Sequence, residues 1–257
     1  MRRFACGVLA LLLGSSAQAQ DLASFLDAMR RARHLEVHGT VESSVYFPPR
    51  GNPTRRVRTL PRVEFVPWLV QRNFDLSAGT NETLAGRGVV RYDLTPKRGS
   101  ADRWTIWLDA RWDVPLAYEQ RTSTGEVIRR AAFTRVQGKP RRRLNIMTER
   151  VSDPPFRQAV LRGLPGLALP ETFEPVGCHA SETGREILLS DGLNVLALVI
   201  APRDVQGGSG VTSRRVGPYY LWLIGSLPQA QLRDVIAQVQ DVKLEALEFF
   251  APQEGGR

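Results

Sequence analysis

Two pairs of neighbouring side chains are the first places where this sequence could do chemistry. His34 and His38 are four residues apart, a spacing at which two imidazoles on one helix face can share a zinc ion. The helical pattern ends near Arg33, however, and no carboxylate or cysteine completes the ligand set, so we expect no metal site there. Cys178 and His179 are adjacent, and neighbours on a strand point to opposite faces. This pair therefore favours a packed, unreactive thiol over an activated nucleophile.

A glycine-rich stretch is the other candidate for catalysis. Gly208-Ser209-Gly210 lacks the G-x-S-x-G spacing that places a nucleophilic serine on a sharp turn. The stretch is not followed by the Lys-Ser/Thr pair of a phosphate-binding loop. We therefore predict a non-enzymatic binding protein with no catalytic residues, no metal and no cofactor.

Composition narrows the partners that such a protein would have. The chain has 257 residues with 42% hydrophobic and 24% charged residues, which is typical of a folded chain of one large or two ordinary domains. Lys and Arg number 35 against 26 acidic residues, and the net charge of +9 favours acidic partners. Two cysteines exclude a disulfide-rich scaffold and the multi-cysteine zinc modules.

The amino-terminal segment predicts where those charges act. Arg2 and Arg3 precede a short apolar run, and Ala17-Gln18-Ala19 has the small-x-small pattern of a cleavage site. We therefore expect a signal peptide over 1–19, cleaved after Ala19, and a periplasmic protein. The apolar run is shorter than the ~20 residues that cross a bilayer. Cleavage would lower the net charge to +7 and leave Cys178 alone, and export makes nucleic acid an improbable partner.

The first half of the mature chain is predicted to be a sheet with a helix against it. The pattern predicts a helix over Asp21–Arg33 and a strand from Val37 to Phe47, followed by a basic loop over Arg50–Pro61. From Val63 the pattern is strand-like with an interruption at Pro67, and Asn73–Gly88 is ambiguous. Four clearer strands follow, separated by short turns, which indicates an antiparallel meander: Val89–Leu94, Trp104–Asp109, Leu116–Arg121 and Val127–Val136.

The second half is predicted to be a smaller domain after a linker. The linker, 151–170, is rich in proline and glycine and contains a short helical piece over Phe156–Arg162. The pattern then predicts a pair of strands about Ser190-Asp191-Gly192, a further strand over Tyr219–Ile224 and a helix over Pro228–Val239. The expected fold class is α+β, with a twisted antiparallel half-barrel and its packed helix followed by a smaller α+β domain.

Two sets of residues are candidates for binding. The apolar set lies on the meander, and the sequence leaves open whether its face is a closed core or an open cavity for acyl chains: Trp104, Ile106, Leu108, Tyr118 and Phe133. The basic set follows the later strands and is a candidate surface for an acidic partner: Arg203, Arg214 and Arg215.

The second half resembles the carboxy-terminal domain of the MucB/RseB family. The resemblance rests on Ser190-Asp191-Gly192-Leu193 with the strand NVLALVIAP, then on Ser213-Arg214-Arg215-Val216-Gly217 and LWLIGSLPQAQLRDVIAQV. In the first half, ASFLDAMRRARHLEVHGTV and WTIWLDARWDVPLAYEQRTSTGEVIRRAAFTRV are similar to the same family. That half also resembles the lipoprotein carriers LolA and LolB. The resemblance implies a LolA-like domain over 20–150 and a MucB/RseB-type domain over 171–257.

The resemblance implies a sensor that regulates a sigma-factor pathway under envelope stress. Such a protein binds the periplasmic segment of a membrane-spanning anti-sigma factor, and acyl-chain lipid, lipoprotein or lipopolysaccharide signals release it. One alternative is a periplasmic lipoprotein or lipid carrier of the LolA/LolB type, and another is an envelope adaptor without a lipid ligand. The sequence leaves the oligomeric state open, a homo-oligomer included.

Overall fold

The computed structural model describes residues 9–48, 51–143, 154–181, 184–203 and 208–250. They form four α-helices and twelve strands within these ranges. The helices are α1 (Leu9–Ala32), α2 (Pro67–Asn73), α3 (Pro154–Gly163) and α4 (Gln229–Ala237), and a 3₁₀ helix covers Leu244–Phe250. The strands of the first sheet are β1 (Leu35–Val45), β2 (Thr54–Val57), β3 (Phe74–Leu84), β4 (Arg87–Pro96), β5 (Arg103–Asp109), β6 (Pro115–Arg121) and β7 (Val127–Arg142). Those of the second are β8 (Glu174–Ser181), β9 (Gly184–Ser190), β10 (Val195–Ala201), β11 (Val211–Val216) and β12 (Tyr219–Ile224).

The first sheet is an open, antiparallel half-barrel. Its strand order is β2-β1-β7-β6-β5-β4-β3. Strands β2 and β3 are the two edges of the sheet and do not pair with each other, so the barrel does not close. Inward residues alternate with outward ones, as the period of two along a strand requires. Phe25 and Met29 of α1 pack against the inner face among side chains such as Phe74 and Ile106, all of them buried. The predicted half-barrel with its packed helix is confirmed.

The second sheet carries helices on one face and α2 on the other. Its order is β11-β12-β10-β9-β8. On β10, Leu196 and Leu198 face the core that contains α3 and α4. Val195 and Ala197 face the opposite way, toward Leu69 of α2. The short helix α2 therefore links the two halves, because it belongs to the first half in sequence and packs beneath the second sheet.

Several predicted elements differ from the observed ones. Helix α1 begins at Leu9 rather than Asp21, because the Leu- and Ala-rich residues before Asp21 are good helix formers. The strand predicted from Val63 is wrong: the chain enters α2 at Pro67, which stands in the first turn where a missing N–H costs nothing. The loop predicted over Arg50–Pro61 contains β2, which pairs with β1.

Three other segments are settled by the structure. The ambiguous stretch 73–88 contains the end of α2, all of β3, the turn after it and the start of β4. The helical piece predicted in the linker is α3, while 151–153 lie outside the described residues. The sequence pattern does not predict strands β8 and β11. Pro175 and Gly177 interrupt the pattern of β8, and two adjacent arginines interrupt that of β11. Residues 1–8 of the predicted signal peptide also lie outside the described residues, and none of the described helices is long and apolar enough to cross a membrane.

Candidate functional site

An apolar cavity lies at one end of the half-barrel, between the carboxy-terminal turn of α1 and the segment 59–65 that precedes α2. Its volume is about 180 Å³. The wall is formed by the start of β1, the end of β7 and the turn between β5 and β6. Its apolar lining includes Met29, Leu35, Val37, Leu60, Val63, Phe65, Val114 and Phe133. Such a lining suits an alkyl chain, which needs no hydrogen-bond partners.

Three arginines also line this cavity. Arg143 donates from Nε to the carbonyl oxygen of Leu35 at 3.0 Å, and its Nη2 lies 3.9 Å from a carboxylate oxygen of Glu36. Arg33 donates to the carbonyl oxygen of Phe65 and lies over its ring. Burial lowers the pKa of the Arg143 guanidinium and the nearby charge of Arg62 lowers it further. Two like charges thus meet at an apolar cavity, which favours an anionic group between them.

The five apolar residues predicted from sequence occupy the core beside this cavity. Trp104, Ile106, Leu108, Tyr118 and Phe133 are each at most 3% exposed. Phe133 lines the cavity and the other four do not. The residues of 59–65 that form its outer wall were not singled out. They span the end of the predicted loop Arg50–Pro61 and the start of the strand-like pattern from Val63, and neither pattern indicates that the chain folds back over α1.

The predicted basic residues lie near one end of the second sheet. Tyr220 pairs with both Arg215 and Ala201, which places Arg215 close to the end of β10 that Arg203 follows. Arg203 and Arg215 are exposed. Arg214 points to the other face, where its Nη1 donates to the carbonyl oxygen of Ile236 at 3.2 Å. Arg203 and Arg215 can therefore meet a partner, whereas Arg214 supports the end of α4.

A buried polar junction joins the two sheets, and sequence reasoning did not find it. The Trp104 indole donates to Oδ1 of Asn194 at 2.8 Å, and Gln120 donates to the same oxygen at 3.2 Å. Asn194 in turn donates to Oδ2 of Asp191 at 2.8 Å. Gln120 also donates to Oδ2 of Asp102 at 2.7 Å. These residues are at most 5% exposed, so the junction is sealed from water.

Two of the junction's carboxyl groups hold unusual pKa values. Burial raises the pKa of Asp102 from 3.8 to about 6, against the opposing hydrogen bonds from Ser226 and Gln120. Burial likewise raises the pKa of Asp191 to about 6, and the negative charge of Asp102 adds to this. Arg129, whose guanidinium lies 4.8 Å from the centre of the Trp104 ring, opposes this rise at Asp102 through its positive charge. The junction therefore takes up protons in a pH range where ordinary carboxyl groups stay ionised.

The pairs His34/His38 and Cys178/His179 are not arranged as metal-binding or nucleophilic sites. His34 lies in the turn after α1, and His38 on β1 lies 3.3 Å from Glu36. Cys178 is buried with a raised pKa while His179 on the same strand is exposed, so the two point to opposite faces. Within the described ranges, no group of three or more His, Cys, Asp or Glu residues is arranged to hold a metal ion.

Comparison with solved structures identifies the fold. A crystal structure of MucB covers 86% of this chain and 98% of its own, with a TM-score of 0.61 and 17% identity. The MucA/MucB complex of Pseudomonas aeruginosa matches with a TM-score of 0.58 and 15% identity, over 86% of this chain and 99% of that one. MucB in complex with MucA(peri) matches with a TM-score of 0.57 and 15% identity at the same coverage. No protein-family model and no curated protein matches the sequence. The likeness establishes a MucB fold over both halves.

Proposed function

We propose that the protein is a non-enzymatic periplasmic regulator that binds the periplasmic segment of a membrane-spanning anti-sigma factor. The observation that carries this proposal is the match to MucB in its complexes with MucA, which extends over 86% of the chain and includes both sheets. A protein that shared only the half-barrel would match over the first half alone. The sequence pattern of a cleaved signal peptide supports the periplasmic location.

The exposed arginines of the second sheet are the proposed contacts for an acidic stretch of that partner. Arg203 and Arg215 are exposed, and the contacts of Arg215 are with the carbonyl oxygen of Gly217 and the ring of Tyr220. Neither contact neutralises the guanidinium charge. Among the described residues, neither Arg203 nor Arg215 forms an ion pair with a carboxylate, so an acidic segment could pair with both.

The cavity of the half-barrel is the proposed site where lipid acts on the complex. Its apolar lining and its arginines suit one acyl chain with an anionic head group. A volume of about 180 Å³ lies below the ~300–1,000 Å³ of ordinary ligand pockets. We therefore expect part of a single chain to enter, and a lipid with several chains to enter only if the segment 59–65 moves. A lipid carrier of the LolA/LolB type is the alternative that this cavity supports.

A pull-down tests the regulator against the carrier. Residues 20–257 would be mixed with the periplasmic segment of a membrane-spanning anti-sigma factor, with and without lipopolysaccharide. Saturable binding that is weaker with the lipid supports the regulator, whereas no binding and a stoichiometric lipid in the purified protein would establish the carrier. Absence of both partner and lipid would leave an envelope adaptor and contradict the proposal.

Charge reversal assigns the proposed contacts. The double variant Arg203→Glu/Arg215→Glu should weaken binding most at low salt, where attraction between exposed charges is least screened. Arg162→Glu with Arg233→Glu is the matched control, since both arginines are exposed on helices of the same half and the change in net charge is equal. Equal binding by the two double variants would exclude Arg203 and Arg215 from the interface.

A blocking variant assigns the lipid site. Val63→Trp should fill the cavity and abolish binding of a fatty acid, measured by calorimetry, because Val63 forms part of its wall. Ile224→Trp is the control, since it adds the same ring at an exposed position of the second sheet. Fatty-acid binding that survives Val63→Trp would place the lipid elsewhere.

A further inference from the structure

The outer face of the half-barrel carries a cluster of cations at the edge formed by β2, β1 and β7. Val37 and Val41 of β1 point inward, so Glu36, Thr40 and Glu42 point outward, together with the residues that pair with them on β7 and β2. Arg58 points outward because it follows the inward Val57. The outward cations are Arg56, Arg58, Arg135 and Arg141, which we call the outer basic face. All four are exposed. A row of like charges therefore stands on three adjacent strands.

Among the described residues, the four arginines of the outer basic face outnumber the carboxylates on the same face. None of its four arginines forms an ion pair with a carboxylate in the part of the chain that the structure describes. Glu36 and Glu42 lie on the same face of β1 and stand opposite Arg141 and Arg56, so two carboxylates balance part of the charge of four arginines. Glu36 already lies within 4 Å of both His38 and Arg143. The face therefore keeps a net positive charge that an external anion can meet.

The spacing of the arginines suits a flat anionic surface. Arg58, which directly follows β2, and Arg135 of β7 lie on either side of β1: the amide of Gly39 donates to the carbonyl oxygen of Arg58, and Thr40 pairs with Arg135. Strands two places apart in a sheet lie ~10 Å from each other, so these cations project from one broad face rather than converging on a groove. Their potentials add over a distance comparable to the ~10 Å screening length at moderate salt.

The cavity opens at the same end of the same strands. Arg141 of the outer basic face pairs with Glu36, and the next pair along the strands is Leu35 with Arg142. Leu35 lines the cavity, so this pair lies beside it. Arg62 and Arg143 line that cavity as well. One edge of the molecule thus combines an apolar opening with cations on both sides of the sheet.

We propose that the protein docks on an anionic lipid bilayer through the outer basic face, with the cavity directed at the lipid surface. A bilayer presents anionic head groups above apolar chains, and so matches both the arginines and the apolar opening. An acidic peptide would match the arginines alone. The proposal goes beyond the binding of an anti-sigma segment and does not depend on it, since docking on lipid needs no protein partner.

Vesicle binding measures this docking directly. Residues 20–257 would be sedimented with vesicles of phosphatidylcholine, or of phosphatidylcholine with phosphatidylglycerol. We expect binding to the anionic vesicles, weakening with salt, and little binding to the neutral ones. Each cation near an anionic surface contributes about fivefold in affinity, so the variant Arg56→Glu/Arg58→Glu/Arg135→Glu should bind ~100-fold more weakly or worse.

A second triple variant separates position from total charge. Arg103→Glu/Arg162→Glu/Arg233→Glu changes the net charge equally at three exposed arginines outside the outer basic face. It should keep most of the vesicle binding, and circular dichroism with thermal melting would establish that both variants are folded. Equal loss in both variants, or no binding of the unaltered protein to anionic vesicles, would overturn the proposal. So would binding of polyglutamate but not of vesicles, which would assign the face to an acidic protein.

Discussion

Replacing Asp102 by Asn should change how the stability of the protein depends on pH. The pKa of this buried carboxyl group is raised from 3.8 to about 6 on folding. A raised pKa means that the folded state binds the proton more tightly than the unfolded state. Its contribution is therefore fully present below pH ~4 and is lost as the pH rises through about 6. Above pH 7 the loss amounts to about 3 kcal/mol, at 1.36 kcal/mol for each pKa unit.

The amide variant should remove this dependence. Asp102 accepts hydrogen bonds at Oδ2 from Gln120 and Ser226, and the amide oxygen of Asn can accept both. Oδ1 of Asp102 has no partner among the described residues, so its replacement by an amide nitrogen breaks no hydrogen bond there. The unfolding free energy of the variant relative to the wild type should rise by about 1.4 kcal/mol between pH 5 and pH 7.5. Loss of the Asp102 charge also eases ionisation of Asp191, which adds to this figure.

Urea unfolding at several pH values between 5 and 7.5 measures the difference. Asp109→Asn is the control, because Asp109 is equally buried while its pKa is lowered. Burial alone would raise that pKa, but hydrogen bonds from Arg87 and from two backbone amides outweigh it. Asp109 is ionised in both the folded and the unfolded protein above pH 5. The Asp109→Asn variant should therefore lose the same amount of stability at every pH in this range. A constant difference between Asp102→Asn and the wild type would refute the reasoning.

Three further substitutions or reagents test the packing around these sites. Gly192→Ala should destabilise by several kcal/mol in urea unfolding, since φ is +120° and a Cβ would lie 2.6 Å from the backbone nitrogen of Val70. Cys178 should resist a thiol reagent in the native protein and react fully in urea, because burial both shields it and raises its pKa. Arg87→Ala should lower the unfolding free energy by about 3–5 kcal/mol, because it leaves the Asp109 carboxylate buried without its cation, and Arg87→Lys should restore part of the loss.

Elements with a strong local pattern were predictable from the sequence. Strands β4 to β7 follow one another through short turns and alternate inward and outward residues, so each is identified by its own residues. Helix α4 shows its buried stripe at Leu232, Val235 and Ile236. Fold class followed from these elements, because consecutive strands with short turns form an antiparallel sheet.

Elements defined by distant contacts were not predictable. The segment 59–65 spans the end of a predicted loop and the start of a predicted strand, yet it forms a cavity wall, because its partners are in α1 and β7 rather than beside it in sequence. The junction joins Asp102, Gln120 and Asn194 across the two halves, and no spacing in one sequence indicates which polar residues will be buried together. The five residues of the apolar set are all buried, but the sequence could not indicate whether their face is open, because that depends on what covers it.

The junction residues lie far apart in sequence, and we expect this separation to affect the rate of unfolding. Trp104 and Asn194 lie 90 positions apart, and Asn73 and Asp191, whose amide and carbonyl groups are bonded at 2.9 Å, lie 118 apart. Contacts that close such long loops are expected to form after the hairpins of each sheet, on the far side of the folding barrier. Weakening one of them should then raise the unfolding rate and leave the refolding rate nearly unchanged. We therefore expect the junction to set the lifetime of the joined state rather than its speed of assembly. The buried indole of Trp104 contributes, with the four other tryptophans of the chain, to the fluorescence change on separation.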